Sequence, residues 1–315
     1  MLGIPELRDP VKGRSFGTRF RNGTSLIATS GEANKTLSSP APEDRGYGAY
    51  GLELIGLPQP DLLVPVPSSR LWPTVRVQSR FGDGDEGPGY ADPEHADVAL
   101  PDGERALLDR AQRSATFLLR SREDDGRIVH PHLTAPGTVF AWWHGREAFH
   151  AGALVTQGGA WALLGEREAG KSSMLAGLAL AGRQILTDDV LIVDGDLALA
   201  GPRCVDLREN LLGPNGLEGM TSPVRGGRHR LRLGPVEPEV PLRGWVLLSW
   251  GEDLDLRPLS PTGRLELLSA QRNVQGADPD RLLRLARLPA WELQRPPDWA
   301  TFEAAVHMVL ELAGE

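Results

Sequence analysis

A chain of 315 residues with 40% hydrophobic and 24% charged residues can bury a sizeable core in one large domain or two modest ones. Its formal net charge of -8 offers no footprint for nucleic acid, and the charge-free run HAGALVTQGGAWALLG falls short of the roughly 20 apolar residues of a membrane helix. The start, MLGIPELRDP, lacks a basic segment followed by an apolar one, and the single Cys204 cannot build a disulfide framework. These features predict a cytoplasmic protein with neither a nucleic-acid nor a membrane partner.

Residues 1–45 are rich in Gly, Ser, Thr, Pro and charge without apolar periodicity, which predicts a disordered or loosely attached segment. YGLELIGL and RLWPTVRVQSRF read as strands, FGDGDEGPGYADPEHAD as a loop, and DGERALLDRAQRSATFLLRSR as a helix from its apolar spacing. Residues 46–135 are therefore expected to form a small α+β region, ahead of a larger domain over 136–315. Within that domain, EAFHAGALVTQGGAWALLG reads as two strands turning at Gln157-Gly158-Gly159. A short helix is expected from Lys171 to about Ala181, ended by Gly182. RQILTDDVLIVDGDLALAG reads as a strand, an Asp-Gly turn and a return strand; GWVLLSW reads as a buried strand and TFEAAVHMVLELAG as a closing helix.

Gly165-Glu166-Arg167-Glu168-Ala169-Gly170-Lys171-Ser172 carries two glycines with four residues between them, followed by Lys and Ser. That is the phosphate-loop pattern: a strand delivers the chain to a glycine, the backbone N–H groups turn inward, and the next helix points its positive end at an anion. The lysine is informative. Lys and Arg total 34, yet only Lys12, Lys35 and Lys171 are lysines. A compact ammonium fits a tight anion-binding loop where a planar guanidinium does not. In this reading Lys171 meets the terminal phosphates, the Ser172 hydroxyl ligates Mg2+, and Gly165 to Ser173 form the nucleotide cradle.

Asp188 and Asp189 follow seventeen and eighteen residues after Lys171, on the first strand after the loop helix. The short interval argues against the large ATPase and GTPase classes, whose acidic metal partner lies much further along. Flanked by IL and VLIV, both acids are expected within a buried strand whose alternation turns one toward metal and the other toward a substrate hydroxyl. A solvated acidic turn is the plain alternative. His150, beside Phe149, reads equally as a packed histidine and as a catalytic neighbour. His130, His132 and His144 show no sequence arrangement resembling a metal site.

The stretch FHAGALVTQGGAWALLGEREAGKSS...LAGRQILTDDVLIV resembles the catalytic domain of bacterial HPr serine kinase/phosphorylase and its HPr-kinase-like relatives. The shared features are a His, a phosphate loop beginning fifteen residues later, and a DD pair on the next strand, here His150, Gly165 to Ser172, and Asp188-Asp189. The resemblance covers about 130 to 265. It implies an α/β (mixed α+β) chain with a P-loop kinase domain of the HPr kinase/PEP carboxykinase-like type and a smaller N-terminal α+β region. By resemblance, Lys171 binds the β and γ phosphates of ATP, Asp189 accepts the proton of an attacking serine hydroxyl, and His150 is its neighbour. Ser172 and Asp188 hold Mg2+. Asp206, in Asp206-Leu207-Arg208, corresponds to an acid that reaches the metal. A catalytic arginine of a mobile loop would fall in VRGGRHRLRL, at Arg228 or Arg230, where a solvated basic strand is the competing reading.

The resemblance implies transfer of the γ-phosphoryl group of ATP to a serine of a small protein or peptide, and, because relatives assemble, a homo-oligomer. Two departures distinguish this chain. Glu168 stands where relatives carry a glycine, so its carboxylate must face solvent or pair with Arg167, and its side chain strains the turn. The N-terminal region does not resemble the family's regulatory domain. Glu168 favours the alternative of an ATP-binding accessory or sensor protein without phosphotransfer.

Overall fold

GYGAYGLELI folds back on itself as β1 (Gly46–Ala49) and β2 (Leu52–Ile55), because Tyr50 and Gly51 both take left-handed conformations, with φ of 59° and 74°. Such two-residue turns match the twist of paired strands. The computed structural model describes residues 46–57, 60–66, 71–82, 89–121, 127–213, 216–273 and 278–314; the expectation for 1–45 lies outside the described residues.

Six further strands follow: β3 (Val64–Val66), β4 (Thr74–Phe81), β5 (Tyr90–Ala91), β6 (His95–Ala99), β7 (Arg105–Asp109) and β8 (Ser114–Leu119). Together they form a sheet in the order β3-β1-β2-β4-β8-β7-β6-β5. The segment expected as a helix is the β7–β8 hairpin. Its buried residues Ala106, Leu108, Ala115, Phe117 and Leu119 alternate within each strand, and the jump of seven across the turn imitates a helical repeat. The expected loop at 81–97 likewise contains β5 and the start of β6, paired antiparallel.

The chain then forms α1 (Thr134–Trp143), β9 (Glu147–Phe149), β10 (Ala151–Thr156), β11 (Gly159–Leu164) and α2 (Lys171–Leu180). It continues through β12 (Gln184–Thr187), β13 (Leu191–Asp194), β14 (Leu197–Leu199), β15 (Cys204–Arg208), β16 (Ser222–Val224) and β17 (Arg228–Arg232). Last come β18 (Glu239–Trp250), β19 (Asp255–Pro258), α3 (Pro261–Gln271), α4 (Pro279–Leu285), β20 (Ala290–Arg295) and α5 (Phe302–Leu312). The fold is mixed α/β. The long β18 organises its second sheet by pairing parallel with β11 and β20 and antiparallel with β14.

Three apolar clusters hold these layers. Tyr50 and Phe117 of the first sheet share a core with Phe140 and Trp143 of α1. Phe149 and Trp245 meet edge to face at 5.1 Å within the second sheet. Leu175 and Leu178 of α2 pack with Val306 and Val309 of α5. Among the described residues no helix is long and apolar enough to cross a membrane.

β12 pairs with β10, whereas β13 pairs with β9 and β14, so the chain changes neighbours at the two aspartates. The single buried strand expected there is broken. Val190 N–H donates to Asp188 O at 2.8 Å and Asp189 has φ of 65°, which together make a tight γ-turn of the strained hand. The Thr187 hydroxyl braces it by donating to Val190 O at 2.7 Å.

Candidate functional site

A cleft of about 550 Å³ opens where β11 runs into α2, and His150, Lys171, Ser172, Asp189, Asp206 and Arg228 are among its lining residues. Two glycines permit the loop's path. Gly165 has φ of 154°, and a Cβ there would lie 2.8 Å from Leu248 O. Gly170, at φ of 82°, would put a Cβ into the Arg295 guanidinium. Either side chain would push the loop off its seat. No side chain caps α2, whose first internal bond runs from Met174 N–H to Gly170 O at 2.9 Å. The first-turn N–H groups therefore lack an intrahelical partner and carry the positive end of the helix.

Lys171 is folded back over this loop. Its ammonium donates to Gly165 O at 2.7 Å and to Glu166 O at 3.2 Å. Burial lowers its pKa, opposed by Asp188 and Asp189. A buried ammonium satisfied only by carbonyl dipoles, beside an uncapped helix N-terminus, fits an anionic group such as a phosphate chain.

Glu168 adopts φ of 70°, the conformation that suits glycine. Of the two expected placements, toward solvent or against Arg167, its side chain takes the first, 62% exposed, and its carboxylate pairs with Arg208 of β15, which holds its pKa down. Register explains the partner: Arg208 ends the strand that carries Asp206 along the cleft wall. The Glu168 carbonyl accepts from Trp250 Nε1 at 3.2 Å, and the Ala169 carbonyl accepts from Arg295 at 2.9 Å. Two of the loop's carbonyls are thus held by side chains that also line the cleft.

The γ-turn separates the roles open to the two acids. Asp188 is buried and accepts from the Ser172 hydroxyl at 3.3 Å. Burial, reinforced by Asp189, raises its pKa far above the ordinary carboxylate range. A hydroxyl and a carboxyl that needs a countercharge are hard oxygen donors, and they fit Mg2+. Asp189 is 40% exposed, and its Oδ2 lies 3.5 Å from His130 Nε2. His150 Nδ1–H donates to the Asp189 carbonyl at 3.0 Å. Burial first, and Lys171 second, lower the His150 pKa and favour the neutral ring.

Asp206 lines the cleft, but both of its oxygens accept from Arg230 at 2.7 Å. The two residues are direct cross-strand partners on β15 and β17. Arg230 is thus buried on a strand and committed to Asp206 and to His130 O, contrary to the expectation of a mobile catalytic arginine. The arginines that reach the cleft are Arg167, Arg208, Arg228 and Arg295.

Pairing of distant segments also brings His130, Cys204 and Asp206 together, their ligand atoms within 4.8 Å of one another. The sequence spacing gave no sign of this cluster. Arg230 is already paired with Asp206, and burial raises the Cys204 pKa. Sequence reasoning also missed Trp250, Arg295, Trp299 and Phe302, which complete the cleft from the C-terminal side.

No protein-family model and no curated protein matches the chain. Among solved structures the chain is similar to the Hpr(Ser) kinase/phosphatase from Coxiella burnetii, at 13% identity and a TM-score of 0.29, over 53% of this chain and 93% of that one. At that score the likeness adds nothing to what the cleft itself displays.

Proposed function

We propose that the protein is a Mg2+-requiring phosphotransferase that moves the γ-phosphoryl group of ATP to a serine hydroxyl of a small protein or peptide. The observation that carries this reading is the meeting of Lys171, Ser172, Asp188 and Asp189 around one uncapped helix N-terminus. Lys171 and the α2 amides bind and orient the triphosphate, and the arginines of the cleft screen the charge on its outer oxygens. Ser172 and Asp188 would hold Mg2+, which supplies charge neutralisation at the phosphates when bound.

Asp189 takes the proton of the acceptor hydroxyl as its oxygen forms a bond to the γ-phosphorus. The bond from that phosphorus to the bridging oxygen breaks, and ADP leaves with the electron pair. His150 holds the Asp189 turn through its carbonyl and so fixes the base against the phosphate seat. A cytoplasmic location, where ATP and Mg2+ are supplied, belongs to the same proposal.

A nucleotide-sensing accessory protein is the second reading, and Glu168 at a position suited to glycine favours it. Incubation with γ-labelled ATP, Mg2+ and a library of serine-containing peptides separates the two. Label in peptide, lost with Asp189→Asn, supports transfer; ATP bound without transfer to any peptide supports sensing.

A further inference from the structure

The C-terminal segments give the cleft an aromatic wall, with Trp250 against the phosphate loop through its Nε1 bond to Glu168 O. Trp250 and Trp299 are 46% and 39% exposed, and among the described residues they are the only exposed tryptophans. Both line this cleft, with Pro297 and Phe302 beside them. Large aromatic faces left in water next to a charged seat suit a ligand that is anionic at one end and flat at the other.

Their placement matches such a ligand. Phe302 packs against α2 at Gly177, where an added Cβ would lie 2.8 Å from its ring. Gly177 is six residues beyond Lys171, which is about 9 Å along the helix. That separation is comparable to the span from the terminal phosphate of a nucleoside triphosphate to its base. Trp299 meets Phe302 at 5.1 Å between ring centroids and 63° between planes, and it keeps 39% of its surface exposed. One face of Trp250 is covered by the Arg295 guanidinium at 3.9 Å.

The wall offers faces and few hydrogen-bonding edges. Its one carboxylate, Asp298, accepts from Ala300 N–H at 3.0 Å and caps its own turn. Stacking of this kind tolerates different bases, because every base has a π face.

We propose that Trp299, backed by Phe302, is the stacking platform for the base of a purine nucleoside triphosphate, and that it takes adenine and guanine alike. This rests on the nucleotide reading of the phosphate loop.

Calorimetric titration of the full chain with ATP, GTP and inorganic tripolyphosphate, each with Mg2+, tests it. The parent should bind ATP and GTP within about threefold of each other, and both at least about tenfold more tightly than tripolyphosphate. Trp299→Leu should lose about tenfold for both nucleotides with tripolyphosphate unchanged, which also reports an intact loop. Trp299→Tyr should recover most of that loss.

Equal affinity of the parent for ATP and tripolyphosphate would overturn the platform, as would a preference above about thirtyfold for one purine. Undiminished ATP binding in Trp299→Leu would overturn it too. Should Trp299→Leu not fold, the parent series and Trp299→Tyr decide alone. A parent that binds none of the three ligands would instead sink the nucleotide reading itself.

Discussion

The Ser172 hydroxyl lies 3.3 Å from Asp188 Oδ1, tying the first turn of α2 to the end of β12 with a hydroxyl and a buried carboxyl. Because the fold raises the Asp188 pKa, the folded protein holds a proton that the unfolded chain releases. Stability therefore falls as pH rises from the ordinary carboxylate value of about 4 toward the folded pKa. Asp188→Asn removes that titration. Without nucleotide or metal it should melt a few degrees above the parent at about pH 8, with the gap closing toward about pH 4. It should also need a higher Mg2+ concentration than the parent to support ATP binding. Thermal melts across pH check both, and a gap independent of pH would show that Asp188 is not held protonated by the fold.

Asp189→Asn keeps the shape of the turn, since Asn tolerates left-handed backbone as Asp does. It removes the base and leaves the loop contacts. Transfer should fall by about 10²- to 10⁴-fold while ATP affinity stays within about threefold of the parent. Transfer at the parent rate would take the base role away from Asp189.

Glu168→Gly removes a side chain from a left-handed position and frees Arg208, which already lines the cleft. One anion leaves the neighbourhood of the phosphate seat and one cation becomes available to it. ATP should bind about threefold to tenfold more tightly, with a gain that shrinks in higher salt. Unchanged or weaker binding at two salt concentrations would mean that the Glu168–Arg208 pair itself shapes the seat.

Much of the second sheet was legible because its signals are local. Gly182 ends α2 with φ of 80°, and the strands around Gln157-Gly158-Gly159 pair as their alternation requires. The β7–β8 hairpin was not, because its inward residues happen to repeat at seven across the turn. The break at Asp189 was hidden too: apolar neighbours on both sides suggest one strand, and only a change of pairing partners splits it. Long-range partners lay beyond any spacing argument. Arg208 against Glu168, Arg230 against Asp206, and Trp299 near the loop helix come together only when sheet register and the α2–α5 packing are fixed.

Lys171 tests the central claim, that a triphosphate is seated on this loop, most directly. Its ammonium is buried against Gly165 O and Glu166 O and lines the cleft. Isothermal titration of Mg-ATP into the parent and into Lys171→Ala, with melts to confirm that both are folded, isolates that charge. The loss of a charged hydrogen bond of about 1.5–3 kcal/mol corresponds to roughly tenfold to over a hundredfold weaker binding in the variant. Equal Mg-ATP affinity in the two folded proteins would contradict the account.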